Sequence, residues 1–362
     1  MEIDLGAIGR NLHEIRRILG PQRKIVAALK ADAYGHGAVA AAQVLAASGA
    51  DYLAVGSVEE AAIVRGAGID APIVLLGNSL PEAAGEIVRL GVIASLEERA
   101  LAMALAASAR NPIPVFVKVD GGFGRFGVPL SAAAPFIRFV AAEPRLRLEG
   151  LYTHLPFSDA AGRSWAERQC HAFEALVAEL AQQGLRPPVT QAMASPALLT
   201  GLGDDLNAST VGHLLFGLMP VARELHAGPT AFAPALLSVR TRLVHLGTPL
   251  PAGQSAGYLK GRSGPLGVVP IGIQHGYRPQ LGTAAMLLGG KRVPVLRACL
   301  ENTIIDLSGV PAPALGAEVI VLGGDEPERI SLQELADWHG TSPLALLVTL
   351  GKSIPRRYRR PA

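Results

Sequence analysis

Short apolar runs rich in β-branched residues recur through the first two-thirds of the chain: Ile25–Leu29, Tyr52–Val55, Pro72–Leu76, Gly91–Ala94, Val115–Val119, Leu148–Thr153, Val189–Met193 and Ser209–Gly212. Between most of them lie Ala/Leu/Glu/Arg-rich stretches with helical spacing, such as Val58–Arg65, Leu96–Ala107 and Ser164–Gln182. Eight strands alternating with helices are what an α/β fold of the (β/α)8 TIM-barrel type requires. An open doubly wound sheet is the alternative, but it more often has fewer strands.

After about Glu224 the rhythm changes. Ala235–Leu246, Gly267–Ile273, Met286–Leu288, Arg292–Cys299, Ile304–Leu307 and Glu318–Leu322 read as strands joined by turns such as LGGK, and only Ser331–His339 and Pro343–Thr349 have helical spacing. The expectation is a barrel over residues 1–225 followed by a mainly β C-terminal domain over 226–362. Residues 1–6, which open as MEIDL, read as an isolated strand expected to pair with the second domain.

Composition narrows the class. The 362 residues are 49% hydrophobic and 17% charged, with mean hydropathy +0.32, which supplies a core and excludes a disordered chain. The greasiest stretch, Gly37–Ala50, is 14 residues long and carries Gln43 and Ser48, too short and too polar for a membrane span. The acidic N-terminus lacks the basic start of a signal peptide, so a cytoplasmic protein is expected. Two cysteines, Cys170 and Cys299, cannot build a disulfide framework or a thiolate metal site. A formal net charge of +3 does not point to nucleic acid. Only six of the 33 cations are lysines: Lys24, Lys30, Lys118, Lys260, Lys291 and Lys352. A chain that prefers arginine for surface charge can keep lysine for amine chemistry, although codon bias leaves the same trace.

In a barrel of this kind chemistry sits at the C-terminal ends of the strands. The first such end reads IVAALKADAYGHG, where Lys30 closes an apolar run of five residues. Its amine is expected to be partly desolvated, with a lowered pKa and an accessible neutral form.

KADAYGHG after a first strand resembles the alanine racemase family, fold type III enzymes dependent on pyridoxal 5'-phosphate. Further matches follow in order: KVDGGFGRFG (Lys118–Gly127), EGLYTH (Glu149–His154), Ser195 in MASP, VGHLLFGL (Val211–Leu218), AGY (Ala256–Tyr258), VPIGIQHGY (Val269–Tyr277) and IPRRY (Ile354–Tyr358). The resemblance covers nearly the whole chain. It implies that Lys30 holds the cofactor covalently and serves as base on one face of Cα, while Tyr258, from the partner subunit of a homodimer with shared sites, serves the opposite face. It further implies phosphate contacts from Tyr34, the Ser195 hydroxyl, the backbone amides of Gly212 and His213, and Tyr358. His154 would line the pyridine ring, Arg125 would reach the substrate carboxylate or the ring hydroxyl, and Tyr277 and Leu300 would lie near the substrate. Lys118 matches a lysine that is often carbamylated in relatives.

The departures matter as much. Thr210 stands where the family places an arginine against the pyridine nitrogen, and Leu300-Glu301 replaces a Met-Asp pair near the substrate carboxylate. Ala194 replaces an asparagine, and His275 an aspartate. The resemblance therefore implies an amino-acid racemase acting on alanine or on another amino acid. A different Cα reaction, such as decarboxylation or retro-aldol cleavage, and a non-catalytic cofactor-binding protein are the alternatives.

Overall fold

The structure, a computed structural model, describes all residues except 193, 204, 227, 229–230, 251–256, 260–263, 326 and 360–362; the side chains of 223, 248–250 and 258 are likewise not described. The chain divides into two compact units. One comprises Leu5–Ala33 and Ala38–Ala235; the other comprises Met1–Asp4, Tyr34–Gly37 and Leu236–Ala362.

The larger unit is a parallel barrel. Its strands are Lys24–Ala28, Tyr52–Val55, Ile73–Leu75, Ala94–Leu96, Ile113–Asp120, Leu146–Tyr152, Val189–Gln191 and Ala208–Val211. They form two arcs: the eighth strand pairs with the first, which leads on to the second and third, and the fourth leads through the fifth and sixth to the seventh. A parallel bridge between Val74 and Ile93 joins the arcs on one side. On the other, the Thr190 amide donates to Asn207 Oδ1 at 2.7 Å. The interior is filled from around the ring by Val26, Tyr52, Ala54, Val74, Ile93, Phe116, Tyr152, Val189 and Ala208. Phe116 takes the centre: a Cβ at Gly150 would lie 2.6 Å from its ring, so the sixth strand needs glycine there.

Helices follow the strands for local reasons. Leu5–Leu19 buries Leu5, Ile8, Leu12, Ile15 and Leu19, a stripe at helical spacing. Ser57 caps Val58–Gly66 by accepting from the Glu60 amide, and Asp159 caps Ala160–Gln182 through the Gly162 amide. Where the pattern suggests a strand at Gly91–Ala94 and a helix from Leu96, the chain does otherwise. Gly91 is the left-handed cap of Ala84–Leu90, which delays the strand to Ala94–Leu96 and the helix to Arg99–Ser108.

The second unit is built on one nine-stranded sheet. Its order runs His245–Leu250, Gly264–Val269, Thr303–Asp306, Lys291–Ala298, Ala285–Leu288, Glu318–Leu322, Leu236–Arg242, Glu2–Asp4 and Arg357–Arg359. The stretch 235–246, which reads as one strand, is two. Leu236–Arg242 pairs with Glu318–Leu322 and His245–Leu250 with Gly264–Val269, so the chain changes partner at Leu243–Val244. Two helices, Leu332–Trp338 and Pro343–Leu350, are capped by Ser331 and Ser342. No helix among the described residues is long and apolar enough to cross a membrane.

Candidate active site

The C-terminal strand ends of the barrel unit gather Lys30, Lys118, Arg125, His154, Ser195, Thr210, Gly212 and His213. Two residues past the first strand, Lys30 is half-buried and makes no ion pair among the described residues. Burial lowers its pKa, the Arg125 guanidinium lowers it further, and the Glu60 carboxylate opposes both. Lys24, at the other end of the same strand, has an ordinary structural partner: its amine lies 3.0 Å from Asp51.

Lys118 points from the fifth strand and is 6% exposed. Its ammonium lies 5.1 Å from the Phe126 ring centroid and 5.7 Å from that of Tyr152. Burial, then Arg125, brings its pKa down to about 8 against the pull of Glu97. Tyr152 is fixed by hydrogen bonds to Ser95 Oγ at 2.8 Å and to the Leu76 carbonyl at 3.3 Å.

The 121–127 loop folds over these ends. Asp120 Oδ1 accepts from the amides of Gly122, Phe123 and Gly124 at 3.1, 2.9 and 3.1 Å. Gly127, at φ +112°, returns the chain so close that a Cβ would lie 2.7 Å from the Asp120 nitrogen. Arg125 lies over the Phe123 ring at 4.8 Å, and Phe123 meets His154 edge-on at 5.9 Å. His154 is pushed down to about 3, by burial first and then by Lys30, Arg125, Lys118 and His213. Burial and Lys30 also lower His213.

At the seventh and eighth strands, Ser195 is 2% exposed and its Oγ accepts from the Gly212 amide at 3.2 Å. That amide is thus directed at Ser195 itself, which leaves the serine hydroxyl proton for an outside acceptor. Thr210 Oγ1 accepts from Gln191 Nε2, and Gln191 Oε1 is buried with no partner among the described residues.

Five groups able to carry positive charge therefore act on one another here. The carboxylates nearby are committed to backbone amides: Asp120 to its own loop, Glu97 to Gly127, and Glu60 to Gly56 and Asp32. The arrangement suits an anionic ligand beside a reactive amine. Glu60, Glu97, Gln191 and the aromatic pair around Lys118 are not singled out by the sequence. Glu60 had a local signal, the S-x-x-E spacing of Ser57 and Glu60; Gln191 had only its position as a polar strand end.

The remaining candidates lie in the other unit. Tyr34 is buried, which pushes its phenol up. Tyr358 donates to the His36 carbonyl at 3.2 Å. Tyr277 is 0% exposed, packs edge-on against His339 at 5.3 Å, and its hydroxyl finds no partner among the described residues. Leu300 is 68% exposed, and its carbonyl accepts from the Gln274 amide. Tyr258 lies in a short 3-10 turn, Gly257–Leu259, and its side chain is outside the described residues, as is Ala256 of the AGY motif. Among the described residues no group of three or more His, Cys, Asp or Glu could hold a metal ion.

Two family models match the chain: the N-terminal domain of alanine racemase over residues 3–220 and its C-terminal domain over 236–358. The alanine racemase of Desulfovibrio desulfuricans is 35% identical over 365 residues, spanning 99% of this chain and 97% of that relative. That of Desulforamulus reducens is 32% identical, spanning 99% and 98%. Among solved structures, the Bacillus anthracis alanine racemase with bound L-Ala-P aligns with a TM-score of 0.89 at 28% identity, covering 99% of this chain and 94% of that one. The biosynthetic alanine racemase from Pseudomonas aeruginosa aligns at 0.81 and 29%, covering 99% and 98%.

Proposed function

Because this chain belongs to the alanine racemase family, we propose that it interconverts L- and D-amino acids, alanine first among them, with pyridoxal 5'-phosphate held on Lys30. The observation that carries this reading is the half-buried Lys30 amine, without an ion pair among the described residues, amid Lys118, Arg125, His154 and His213. When bound, the cofactor supplies an electron sink that acidifies the Cα–H bond of an amino acid joined to its aldehyde.

The residues present fit that group. A desolvated lysine is the nucleophile an aldehyde requires, and the cationic surroundings match a phosphate and a carboxylate. Ser195 can donate its hydroxyl proton to the phosphate, with His213 beside it at the end of the eighth strand. Tyr34 and Tyr358 are further phosphate donors on the strength of the family resemblance. His154, held neutral well below physiological pH, can face an aromatic ring without adding charge. Arg125 is the proposed carboxylate partner. Thr210 and Gln191 present a neutral hydroxyl–amide pair where the family places a guanidinium. Lys118, at about 8, has a neutral fraction near pH 7 that suits the carbamate its relatives often carry.

Lys30, its pKa lowered by burial and then by Arg125, takes the Cα proton on its face, and Tyr258 is assigned to return one on the other. Incubated in deuterium oxide with L-amino acids, the protein should exchange the Cα proton of L-alanine with formation of the D-enantiomer, read by proton NMR and chiral chromatography. Borohydride reduction of the cofactor-loaded protein should place the label on the peptide containing Lys30. Exchange with loss of carbon dioxide would point to a decarboxylase instead, and label on Lys118 would overturn the lysine assignment.

A further inference from the structure

Directly after Lys30 the backbone does something L-residues avoid. Ala31, Asp32, Ala33 and Tyr34 all have φ between +54° and +56°, a left-handed turn made without glycine. Such a run persists only where the surroundings hold it. Among the hydrogen bonds within the barrel unit that bear on it are Ala33 N to Leu29 O at 2.6 Å, Ala38 N to Asp32 Oδ1 at 2.7 Å, and Asp32 N to Glu60 Oε1 at 3.1 Å. The last comes from a different element.

Glu60 is the third residue of Val58–Gly66, where the helix dipole favours a carboxylate. Its backbone amide is taken by Ser57 Oγ at 3.2 Å, and its Oε2 accepts from the Gly56 amide at 2.8 Å. One oxygen thus anchors the carboxylate to its own strand end, and the other reaches across to the lysine turn. The two strand ends pack closely: a Cβ at Gly56 would lie 3.4 Å from both Lys30 Cβ and Glu60 Oε2. Of the groups among the described residues that act on the Lys30 amine or feel it, Arg125, Lys118, His154 and His213 are cationic or can become so, and Glu60 is anionic.

We propose that Glu60 is a positioning residue for Lys30: its carboxylate clamps the left-handed turn that fixes where the lysine stands, and it is the counter-charge that the amine faces. The proposal rests on Lys30 as the cofactor lysine, yet its test needs no turnover. The full-length chain, freed of cofactor with hydroxylamine, is labelled with trinitrobenzenesulfonate across pH, and modification of Lys30 is read by peptide mapping. Glu60→Gln keeps the volume and removes the charge. The labelling midpoint should move down by about half a pH unit, a roughly 3-fold gain in reactive amine at fixed pH below the midpoint.

Glu60→Asp keeps the charge but cannot span both amides. Hydrogen exchange at the Asp32 amide should accelerate by about tenfold or more, the factor for one charge-assisted hydrogen bond, while the labelling midpoint stays nearer wild type than in Glu60→Gln. An unchanged midpoint in Glu60→Gln, or unchanged exchange at Asp32 in Glu60→Asp, overturns the assignment. A wild-type chain that behaves as expected in both assays but racemises no amino acid would refute the racemase reading and leave the role of Glu60 standing.

Discussion

Lys24 and Lys30 bracket one strand and show how burial and partners divide lysines between structure and chemistry. Lys24 is exposed and lies 3.0 Å from Asp51, which also holds Arg16 at 2.7 Å, so its charge is compensated. Lys30 is half-buried near Arg125, with Glu60 opposing, and His154 is pushed down to about 3 by burial first and then by Lys30, Arg125, Lys118 and His213. The histidine makes a prediction about pH. An unfolded histidine titrates near its ordinary 6.5, so between 6.5 and 3 the unfolded chain binds the proton that the native chain refuses. Stability is therefore lost as pH falls through 6.5, reaching about 2 kcal/mol by pH 5 from this residue alone. His213, lowered in the same sense, and His339, at about 4, add to the slope. Urea unfolding of the cofactor-free chain at pH 7 and pH 5 should show the loss, and His154→Gln should recover most of this part of it. Parallel pH dependences in wild type and variant would mean that His154 titrates normally in the native state.

At the scale of elements, the strand and helix alternation was legible because apolar runs and helical spacing are local properties of the chain. What local spacing could not show was conformation imposed by distant partners. The left-handed turn at Ala31–Tyr34 costs about 1–2 kcal/mol per residue, and nothing in the string KADAY announces it; it depends on Glu60, nearly thirty residues on. The break at Leu243–Val244 is a change of sheet partner that a continuous apolar pattern hides. Glycines do announce themselves. In the second unit, Gly35 and Gly37 sit at φ +82° and +98°; a Cβ at Gly35 would lie 2.3 Å from the Leu347 carbonyl oxygen, and one at Gly37 would lie 2.0 Å from the Tyr358 hydroxyl. Gly37→Ala should therefore cost about 1–3 kcal/mol through backbone strain and displacement of the tyrosine. In a Tyr358→Phe background the nearest ring atom is 3.2 Å away, so the cost should shrink to the backbone part. Equal costs in the two backgrounds, measured by urea unfolding, would show that Tyr358 does not pack on Gly37.

At the scale of the whole molecule the chain is interleaved: the second unit borrows Met1–Asp4 and Tyr34–Gly37 from within the N-terminal stretch. Glu2–Asp4 runs parallel to Arg357–Arg359 and antiparallel to Leu236–Arg242, and the amino terminus donates to the Pro355 carbonyl at 2.9 Å. The chemistry proposed for this chain divides in a related way, since Lys30 belongs to the barrel unit and Tyr258 to the other. The family resemblance assigns the two to opposite subunits of a dimer, each site taking its lysine from one protomer and its tyrosine from the partner. That assignment makes a quantitative prediction. Lys30→Ala and Tyr258→Phe homodimers each carry the same lesion at both sites and should be nearly inactive. Mixed in equal amounts under conditions that allow exchange, half the dimers become hybrids. In a hybrid with shared sites, one site collects both substitutions and the other collects neither. About a quarter of the wild-type site activity should then return. If each site instead drew both residues from one protomer, every site in every hybrid would hold one lesion, and nothing would return. Differently tagged subunits establish that exchange has occurred. Exchange without recovered racemisation would therefore rule out the shared site and return Tyr258 to an ordinary place in the β unit.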